Sequence, residues 1–359
     1  MARIACLVAA RPNFVKVAPL ITAMTSEGTH EPVLIHAGQH YDAALDEFIT
    51  SDLKMPPPNY HLGVGSGTHG YQVGETMVRL EEVFSADKFA GLVVAGDVNA
   101  TLAGALVAAK ARLALAHLEA GIRSYDRSMP EEINRVLTDQ VADLCLTPSR
   151  DAAPNLLSEG IDKSRIHFVG NTMIDSLDLH IEDARSRQVA IAHGLAPQRY
   201  GVITLHRPAN VDDEVALGEL LETLGEISGR LPLLFPIHPR TLQRLGSGRL
   251  PDGVNAIEPM GYVDFLSVVS DARLVLTDSG GIQEETTVLG VPCITLRDNT
   301  ERPVTITEGT NRLSGTDRDR IWQAVNEILD SPMPEPVRPD GWDGHAAERG
   351  AEVLARYCD

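Results

Sequence analysis

The stretch DSGGIQEETTVLG, residues 278–290, places a Ser-Gly-Gly turn at the start of a predicted helix. Gly280 and Gly281 have no side chains, so their N–H groups can approach a phosphate closely, and the helix dipole favours the anion. Ser279 is placed to cap the helix. Glu285 lies one to two turns further on, within reach of a ribose. Its carboxylate would accept hydrogen bonds from the two ribose hydroxyls. These residues indicate a nucleotide site; a plain β–α turn with a capping serine is the alternative.

Two cations, Arg11 and Lys16 in ARPNFVKVAPL, flank the first predicted β–α turn. The chain has 31 Lys and Arg against 50 Asp and Glu, a formal net charge of −19. So acidic a surface disfavours nucleic acid or anionic membrane as a partner. The two cations therefore indicate a local anion site. The alternative is that they are ordinary charged residues on the surface of a helix.

Three carboxylates in the first half of the chain lie at unusual positions. Asp97 comes after an apolar run in GDVNAT, and Glu119 directly follows another in HLEAGIRS. A charged side chain directly after an apolar strand is unfavourable unless it takes part in binding or catalysis. Glu131, the first glutamate of MPEEINR, begins a helical pattern after a proline, which by itself also fits an ordinary helix start.

Short Val-, Ile- and Leu-rich runs alternate with amphipathic stretches along the whole chain. Such runs predict strands buried on both faces of a parallel sheet, which gives a doubly wound α/β architecture. The predicted strands are Ile4–Val8, Val33–His36, Leu92–Ala95, Leu113–His117, Leu144–Thr147, Val202–Leu205, Leu233–Ile237, Leu274–Thr277 and Cys293–Leu296. The clearest predicted helices are Val73–Phe84, Ala100–Ala111 and Ile133–Ala142. Ligands bind beyond the carboxyl ends of such strands, and polar residues follow six of these ends.

The β–α pattern restarts after residue 170, and 359 residues exceed the usual length of one domain. We therefore expect two Rossmann-like domains, residues 1–170 and 171–359, with the active site in the cleft between them. The last predicted helix, Ala346–Tyr357, is able to pack on either domain.

The sequence disfavours a dinucleotide site, a metal site and a secreted or membrane-spanning protein. The GxGxxG at Gly65–Gly70 follows a proline-rich segment rather than a buried strand, so we interpret it as a mobile loop and not as a dinucleotide site. No metal-ligand spacing such as HExxH or paired CxxC occurs. The four cysteines are far apart, and no signal peptide or bilayer-spanning run is evident, so we expect a cytoplasmic protein.

A dozen fragments in register resemble the non-hydrolysing UDP-N-acetylglucosamine 2-epimerases, in the branch with an LHRPxN motif. These fragments are ARPNFVKVAPL, AGQH, GDVNAT, HLEAGIRS, PEEINR, LTPS, VGNTMIDSL, TLHRPANVDD, PIHPRT, MGYVDFL, TDSGGIQEE and LRDNTERP with EGTNRLSG. The resemblance implies a GT-B-like pair of Rossmann domains in a cytoplasmic homodimer. It further implies interconversion of UDP-GlcNAc and UDP-ManNAc with neither NAD nor metal.

The resemblance also assigns roles to residues. It implies proton transfer by Asp97 and Glu131, with Glu119 as a third candidate or an orienting group. The leaving diphosphate would be stabilised by Arg11, Lys16 and His206 together with the N–H groups of Ser279, Gly280 and Gly281. The remaining substrate contacts would come from Asn171, His238, Phe265 (uracil, with core packing as the alternative), Glu285 (ribose) and Arg302.

Departures from the family pattern leave the substrate open. Many members have GTRPE at the start, so a glutamate found there is Asn13 here, and HRRE is replaced by His206-Arg207-Pro208-Ala209. Ala43 interrupts the QHxxM stretch used for allosteric activation in some bacterial members. The alternatives are a 2-epimerase of a modified UDP-sugar such as a diacetamido-uronate, a hydrolysing 2-epimerase, a GT-B glycosyltransferase, and a catalytically silent UDP-sugar sensor.

Overall fold

The computed structural model describes residues 1–38, 48–237, 239–245 and 250–358, and omits the side chains of residues 239 and 240. Its contacts divide the chain into two compact units. The first unit comprises residues 1–176 together with residues 340–359, and the second comprises residues 177–339.

The first unit is built on a parallel sheet of seven strands in the order β3-β2-β1-β4-β5-β6-β7. The strands are β1 (Ala2–Val8), β2 (His30–His36), β3 (Tyr60–His61), β4 (Gly91–Ala95), β5 (Ala114–Leu118), β6 (Leu144–Thr147) and β7 (Ile166–Phe168). The helices are α1 (Arg11–Glu27), α2 (His69–Ala86), α3 (Asn99–Ala111), α4 (Pro130–Val141), α5 (Ala152–Ser158) and α6 (Thr172–Arg187), which contains the division between the units. The central strands are wholly buried because helices cover both faces of the sheet.

The last helix, α15 (Ala346–Tyr357), returns to the first unit and packs against α1. Gly350 lies against Leu20 of α1, where a Cβ at position 350 would be 3.2 Å from the Leu20 side chain. Trp342, which precedes the helix, is wholly buried, and its indole N–H donates to the carbonyl oxygen of Pro148 at 3.0 Å. The Asp175 carboxylate accepts from two backbone N–H groups in the first turn of α15.

The second unit repeats the architecture with six parallel strands in the order β10-β9-β8-β11-β12-β13. The strands are β8 (Gly201–Thr204), β9 (Leu233–Pro236), β10 (Val254–Ile257), β11 (Leu274–Thr277), β12 (Cys293–Thr295) and β13 (Asn311–Leu313). The helices are α7 (Val189–Ala192), α8 (Pro208–Val211), α9 (Glu214–Ser228), α10 (Pro239–Leu245), α11 (Tyr262–Ser270), α12 (Gly280–Leu289), α13 (Val304–Thr307) and α14 (Arg318–Leu329).

The predicted fold class, two doubly wound α/β units, is confirmed. All nine predicted strands are present, with ends shifted by three residues at most. Four strands were missed: β3, β7, β10 and β13. Each has two to four residues and lies at a sheet edge, where no continuous apolar run is required.

The four cysteines are all buried. Among the described residues, we find no helix whose length and apolar character would let it cross a bilayer.

Candidate active site

The first candidate region lies where the strand order of the first sheet reverses, between β1 and β4. Ligands of doubly wound sheets bind at such a switch point. Asn13 spans it: its Oδ1 accepts from the N–H of Ala10 at 3.0 Å, and its Nδ2 donates to the carbonyl oxygen of Ala95 at 2.9 Å. The residue that replaces the usual family glutamate therefore joins the β1–α1 turn to the end of β4.

Asp97 follows β4 and is held by α4. The buried Arg135 guanidinium forms an ion pair with the Asp97 carboxylate, and Asn134 Nδ2 donates to the Asp97 carbonyl oxygen at 2.8 Å. About a quarter of the Asp97 side chain remains exposed. Asp97 is thus fixed in orientation while its carboxylate stays accessible to a ligand.

Glu119 lies beneath the Asp97 turn. It is 7% exposed, it forms a buried ion pair with Lys16, and its φ is +73°. A left-handed conformation at a non-glycine residue costs roughly 1–3 kcal/mol and is concentrated at functional sites. A Cβ added at Gly96 would lie 3.2 Å from Lys16 Nζ and 3.3 Å from Glu119 Oε2, so the pair contacts this turn directly.

The adjacent glutamates of α4 have different surroundings. Glu132 is buried and accepts from the N–H of Ser124 at 3.0 Å, the N–H of Tyr125 at 2.9 Å and Arg135 Nη1 at 2.7 Å. Glu131 is only half-buried and lines a cavity. Glu132 therefore anchors a loop, whereas Glu131 faces a space that a ligand can enter.

A cavity of about 340 Å³ brings Asp97 and Glu131 together in the first unit. Its wall also contains the first residues of α2, α3 and α4, together with Gly65 and Ser66 of the GxGxxG segment. The sequence predicts only a loop for that segment and gives no sign that it lines a cavity. Glu119 is not part of the lining.

The second candidate region lies at the switch point of the second sheet, between β8 and β11. His206 Nδ1 is 2.8 Å from the wholly buried Asp278 carboxylate, which also accepts from the N–H groups of His206 at 3.0 Å and Arg207 at 2.9 Å. Burial raises the pKa of Asp278, but the hydrogen bond and charge of His206 and the backbone N–H donors outweigh burial and lower it below its ordinary value. The imidazole is 41% exposed and is held through Nδ1.

A cluster of arginines and glutamates surrounds the first turn of α12. Glu301 pairs with Arg207 at 3.3 Å, Arg297 at 2.9 Å and Arg302 at 3.0 Å, while Arg302 also pairs with Glu284 at 2.9 Å. Three cations face two carboxylates here, beside the positive end of a helix dipole. This is the local positive region that anion binding in so acidic a chain requires.

Gly280 contacts this cluster directly. A Cβ there would lie 2.5 Å from Arg302 Nη1 and 2.9 Å from Glu301 Oε1. Ser279 occupies the N-cap position with no side-chain cap bond, and its own N–H donates to Thr277 Oγ1 at 2.9 Å. A side chain at position 280 would therefore have to displace the ion-paired ends of Arg302 and Glu301.

Glu285 lies one turn into α12 and is almost fully buried. Burial raises the pKa of Glu285 to about 7. The hydrogen bond from the Tyr262 hydroxyl lowers this pKa in part, and the charge of Glu284 raises it. Phe265, on α11, is partly buried and packs against one core of the second unit. Phe265 therefore makes the core contacts that the alternative interpretation expected.

Three other predicted residues are partly engaged, and one lies outside the described residues. Arg11 is exposed and its guanidinium lies over the Phe48 ring, 5.3 Å from the centroid, whereas Lys16 is buried against Glu119. Asn171 is buried and its Oδ1 accepts from the N–H of Met173 at 3.0 Å, which caps α6. His238 lies outside the described residues.

Sequence reasoning missed the residues that hold the site: Arg135, Asp139, Asp278 and Glu301. A signal existed for part of this set. Glu132, Arg135 and Asp139 are spaced i, i+3, i+7, which places them on one helix face. Buried charges on one face must be paired, which predicts partners on the neighbouring turns. In the part of the chain described, no three His, Cys, Asp or Glu side chains are grouped as a metal site.

Comparison with known proteins decides the family. The model of the UDP-N-acetylglucosamine 2-epimerase family matches residues 22–355. The chain belongs to that family. A UDP-N-acetylglucosamine 2-epimerase of Methanocaldococcus jannaschii is 41% identical over 365 residues, covering 98% of each chain. The predicted family is therefore confirmed over nearly the whole length.

Two further relatives bear on ligand class. A crystal structure of the M. jannaschii UDP-GlcNAc 2-epimerase in complex with UDP-GlcNAc and UDP has a TM-score of 0.91 at 39% identity and covers 99% of each chain. A UDP-2,3-diacetamido-2,3-dideoxy-D-glucuronate 2-epimerase of Pseudomonas aeruginosa is 39% identical over 361 residues and covers 99% of each chain. The family's curated relatives are thus isomerases that act on more than one UDP-sugar.

Proposed function

We propose that this protein reversibly epimerises C2 of UDP-GlcNAc to give UDP-ManNAc, with the protein's acidic groups moving the proton. The C2 hydrogen is not adjacent to a carbonyl, so its direct removal is very unfavourable. If the C1–O bond to UDP breaks first, its electron pair leaves on the β-phosphate oxygen, and the positive charge at C1 acidifies C2. Loss of the C2 proton then gives a 2-acetamidoglucal and UDP.

Asp97 and Glu131 are the proposed proton-transfer groups. One carboxylate accepts the C2 proton, and re-addition of UDP with protonation from the opposite face gives the epimer. Such an exchange needs two proton-transfer groups that reach the same bound sugar from different sides. The single observation that carries this proposal is that Asp97 and Glu131 line the same cavity.

The second unit is proposed to hold the nucleotide. The N–H groups at the start of α12, His206 and the arginine cluster around Glu301 would stabilise the departing diphosphate. Glu285 would accept from the ribose and Phe265 would contact the uracil. The reaction requires that glucal and UDP stay bound until they recombine, so that neither is lost.

Incubation with UDP-GlcNAc in D₂O tests the proposal. Deuterium is expected at C2 of intact UDP-sugar, with a UDP-ManNAc fraction that grows to a constant ratio. Release of free ManNAc would identify a hydrolysing enzyme instead. Neither exchange nor release, for UDP-GlcNAc and a 2,3-diacetamido uronate analogue alike, would contradict the proposal.

A modified UDP-sugar is the second candidate substrate. The observation that favours it is the P. aeruginosa relative, whose identity of 39% is close to the 41% of the M. jannaschii enzyme. The two candidates are distinguished by the ratio of kcat/KM for UDP-GlcNAc and for the diacetamido uronate in the same exchange assay.

Replacing Gly280 by alanine is expected to weaken nucleotide binding. The added methyl group collides with Arg302 and Glu301, whose mutual ion pairing resists displacement. We expect the Kd for UDP, measured by calorimetry, to rise about tenfold, or about 1.4 kcal/mol. Gly218→Ala is the matched control, because a Cβ on Gly218 has no neighbour within 4 Å. Equal affinity of the Gly280→Ala variant and the control would contradict the assignment.

Nucleotide binding is expected to tighten as pH rises through about 7. The pKa of Glu285 is raised to about 7 by burial, so the carboxyl group is largely protonated at pH 6 and ionised at pH 8. Ribose hydroxyls donate to the ionised form, so affinity for UDP-GlcNAc should rise about tenfold between these pH values. Glu285→Gln should remove this rise. A wild-type affinity that is constant or falls over this range would contradict the role of Glu285.

Three finer points are also proposals. We infer that the reaction needs no NAD, because elimination and re-addition involve no net oxidation, and no metal, in line with the family resemblance. We infer a homodimer in the cytoplasm, in line with the family resemblance and with four cysteines that are far apart in the sequence and form no CxxC pair. Activity after EDTA treatment and the mass from light scattering test the first two points.

A further inference from the structure

His117, near the end of β5, is wholly buried and engaged through both ring nitrogens. Its Nδ1 lies 2.6 Å from Asp139 Oδ1, and its Nε2 lies 2.8 Å from the carbonyl oxygen of Gly96. A carbonyl oxygen only accepts, so Nε2 carries a proton. Asp139 also contacts the Arg123 guanidinium, so its Oδ1 is a charged partner for Nδ1.

The same Asp139 reaches the neighbouring turn. Its Oδ2 accepts from the N–H of Gly121 at 3.1 Å and pairs with Arg123 Nη2 at 2.7 Å. Gly121 follows Glu119 by two residues, while Gly96, the acceptor of His117, directly precedes Asp97. Both glycines have positive φ, +67° at Gly96 and +82° at Gly121, so both turns contain a residue in the backbone region that favours glycine.

Asp139 lies on α4, the helix whose first turn carries Glu131. A single helix therefore presents one carboxylate to the cavity and, through Asp139 and His117, holds the two turns that carry the others. Catalytic groups displaced by about 1 Å lose on the order of 10²-fold in rate, so this connection bears on chemistry as well as on folding.

We propose that His117 is a positioning residue for epimerisation: bound between Asp139 and the Gly96 carbonyl, it fixes the Asp97 and Glu119 turns relative to Glu131. This inference rests on the proposed function. It assigns to His117 no contact with the substrate.

Two substitutions separate the two hydrogen bonds. In His117→Gln the side-chain amide reaches about as far as Nε2 and can still donate to Gly96, while in His117→Asn it reaches only about as far as Nδ1 and can still donate to Asp139. We expect kcat for C2 exchange to fall about 10²-fold in His117→Asn and about tenfold or less in His117→Gln. The Kd for UDP should stay within twofold of wild type in both. The exposed His193 provides a control in His193→Gln.

Two results would overturn the inference. One is a folded His117→Asn protein with kcat within twofold of wild type. The other is a lower melting temperature in both variants with kcat retained, which indicates a purely structural role. If neither variant folds, ¹⁵N spectra of the wild-type imidazoles decide: a proton on Nε2 of His117 that exchanges slowly with solvent is expected, and its absence contradicts the arrangement. If the wild type exchanges no C2 hydrogen, the proposed function has failed, and the same spectra still test the bridge.

Discussion

Replacing Glu131 by glutamine is expected to slow deuterium incorporation at C2 by ~10²–10⁴-fold, the usual contribution of a positioned acid or base. Glutamine preserves the shape of the side chain but neither accepts nor delivers a proton. Glu131 is half-buried and lines the cavity, so its loss should leave the melting temperature nearly unchanged. NMR of UDP-GlcNAc in D₂O measures the rate, and thermal unfolding measures stability.

The neighbouring Glu132 supplies the matched comparison. It is 3% exposed and accepts from Ser124, Tyr125 and Arg135, so Glu132→Gln breaks a buried ion pair and leaves donors without an anionic acceptor. We expect a loss of roughly 3 kcal/mol in the free energy of unfolding. Glu27→Gln, at an exposed position, controls for the change in net charge. A stable, fully active Glu131→Gln protein would refute the assignment of Glu131.

The architecture was predictable because its strands have an unambiguous pattern. Runs such as Leu144–Thr147 and Leu274–Thr277 are apolar up to a final threonine, which occurs when both faces of a strand are covered, and both were placed correctly to the residue. Tyr60–His61 shows the limit of this reasoning. Two residues at a sheet edge bury too little surface to impose a pattern, so neighbouring strands rather than local sequence determine that they pair.

Contacts between the ends of distant strands were predictable for a related reason. Parallel strands bring their carboxyl ends to one edge, so residues near the ends of distant strands were expected to meet. The Asn13 side chain contacts the Ala95 carbonyl oxygen, and His206 contacts Asp278, each across a switch point.

The division of labour among neighbouring charged residues was not predictable from type and spacing. Glu131 and Glu132 are adjacent in sequence, yet about 100° of helix rotation separates a cavity from a buried ion pair. Lys16 was expected to serve a diphosphate together with Arg11, but the structure buries it against Glu119. Such outcomes depend on which partner a neighbouring turn supplies, which is information about tertiary structure.

Replacing Asp278 by asparagine is expected to disable the second unit's contribution to catalysis. Asp278 is wholly buried and its carboxylate accepts from His206 Nδ1 and from two backbone N–H groups. An asparagine directs an NH₂ group at some of these donors and leaves at least one buried N–H unsatisfied, which costs about 1–3 kcal/mol. We expect kcat to fall on the order of 10²-fold as His206 loses its orientation.

A double-mutant cycle separates orientation of His206 from general damage. His206→Asn removes the imidazole but leaves the backbone donors of Asp278 intact, so it should lower kcat with little change in melting temperature. If Asp278 acts through His206, the double variant should be no slower than the slower single variant, since each change removes the same interaction. Full additivity of the two effects on kcat would show that Asp278 acts independently of His206. The buried carboxylate would then serve the β8–β11 turn rather than the imidazole.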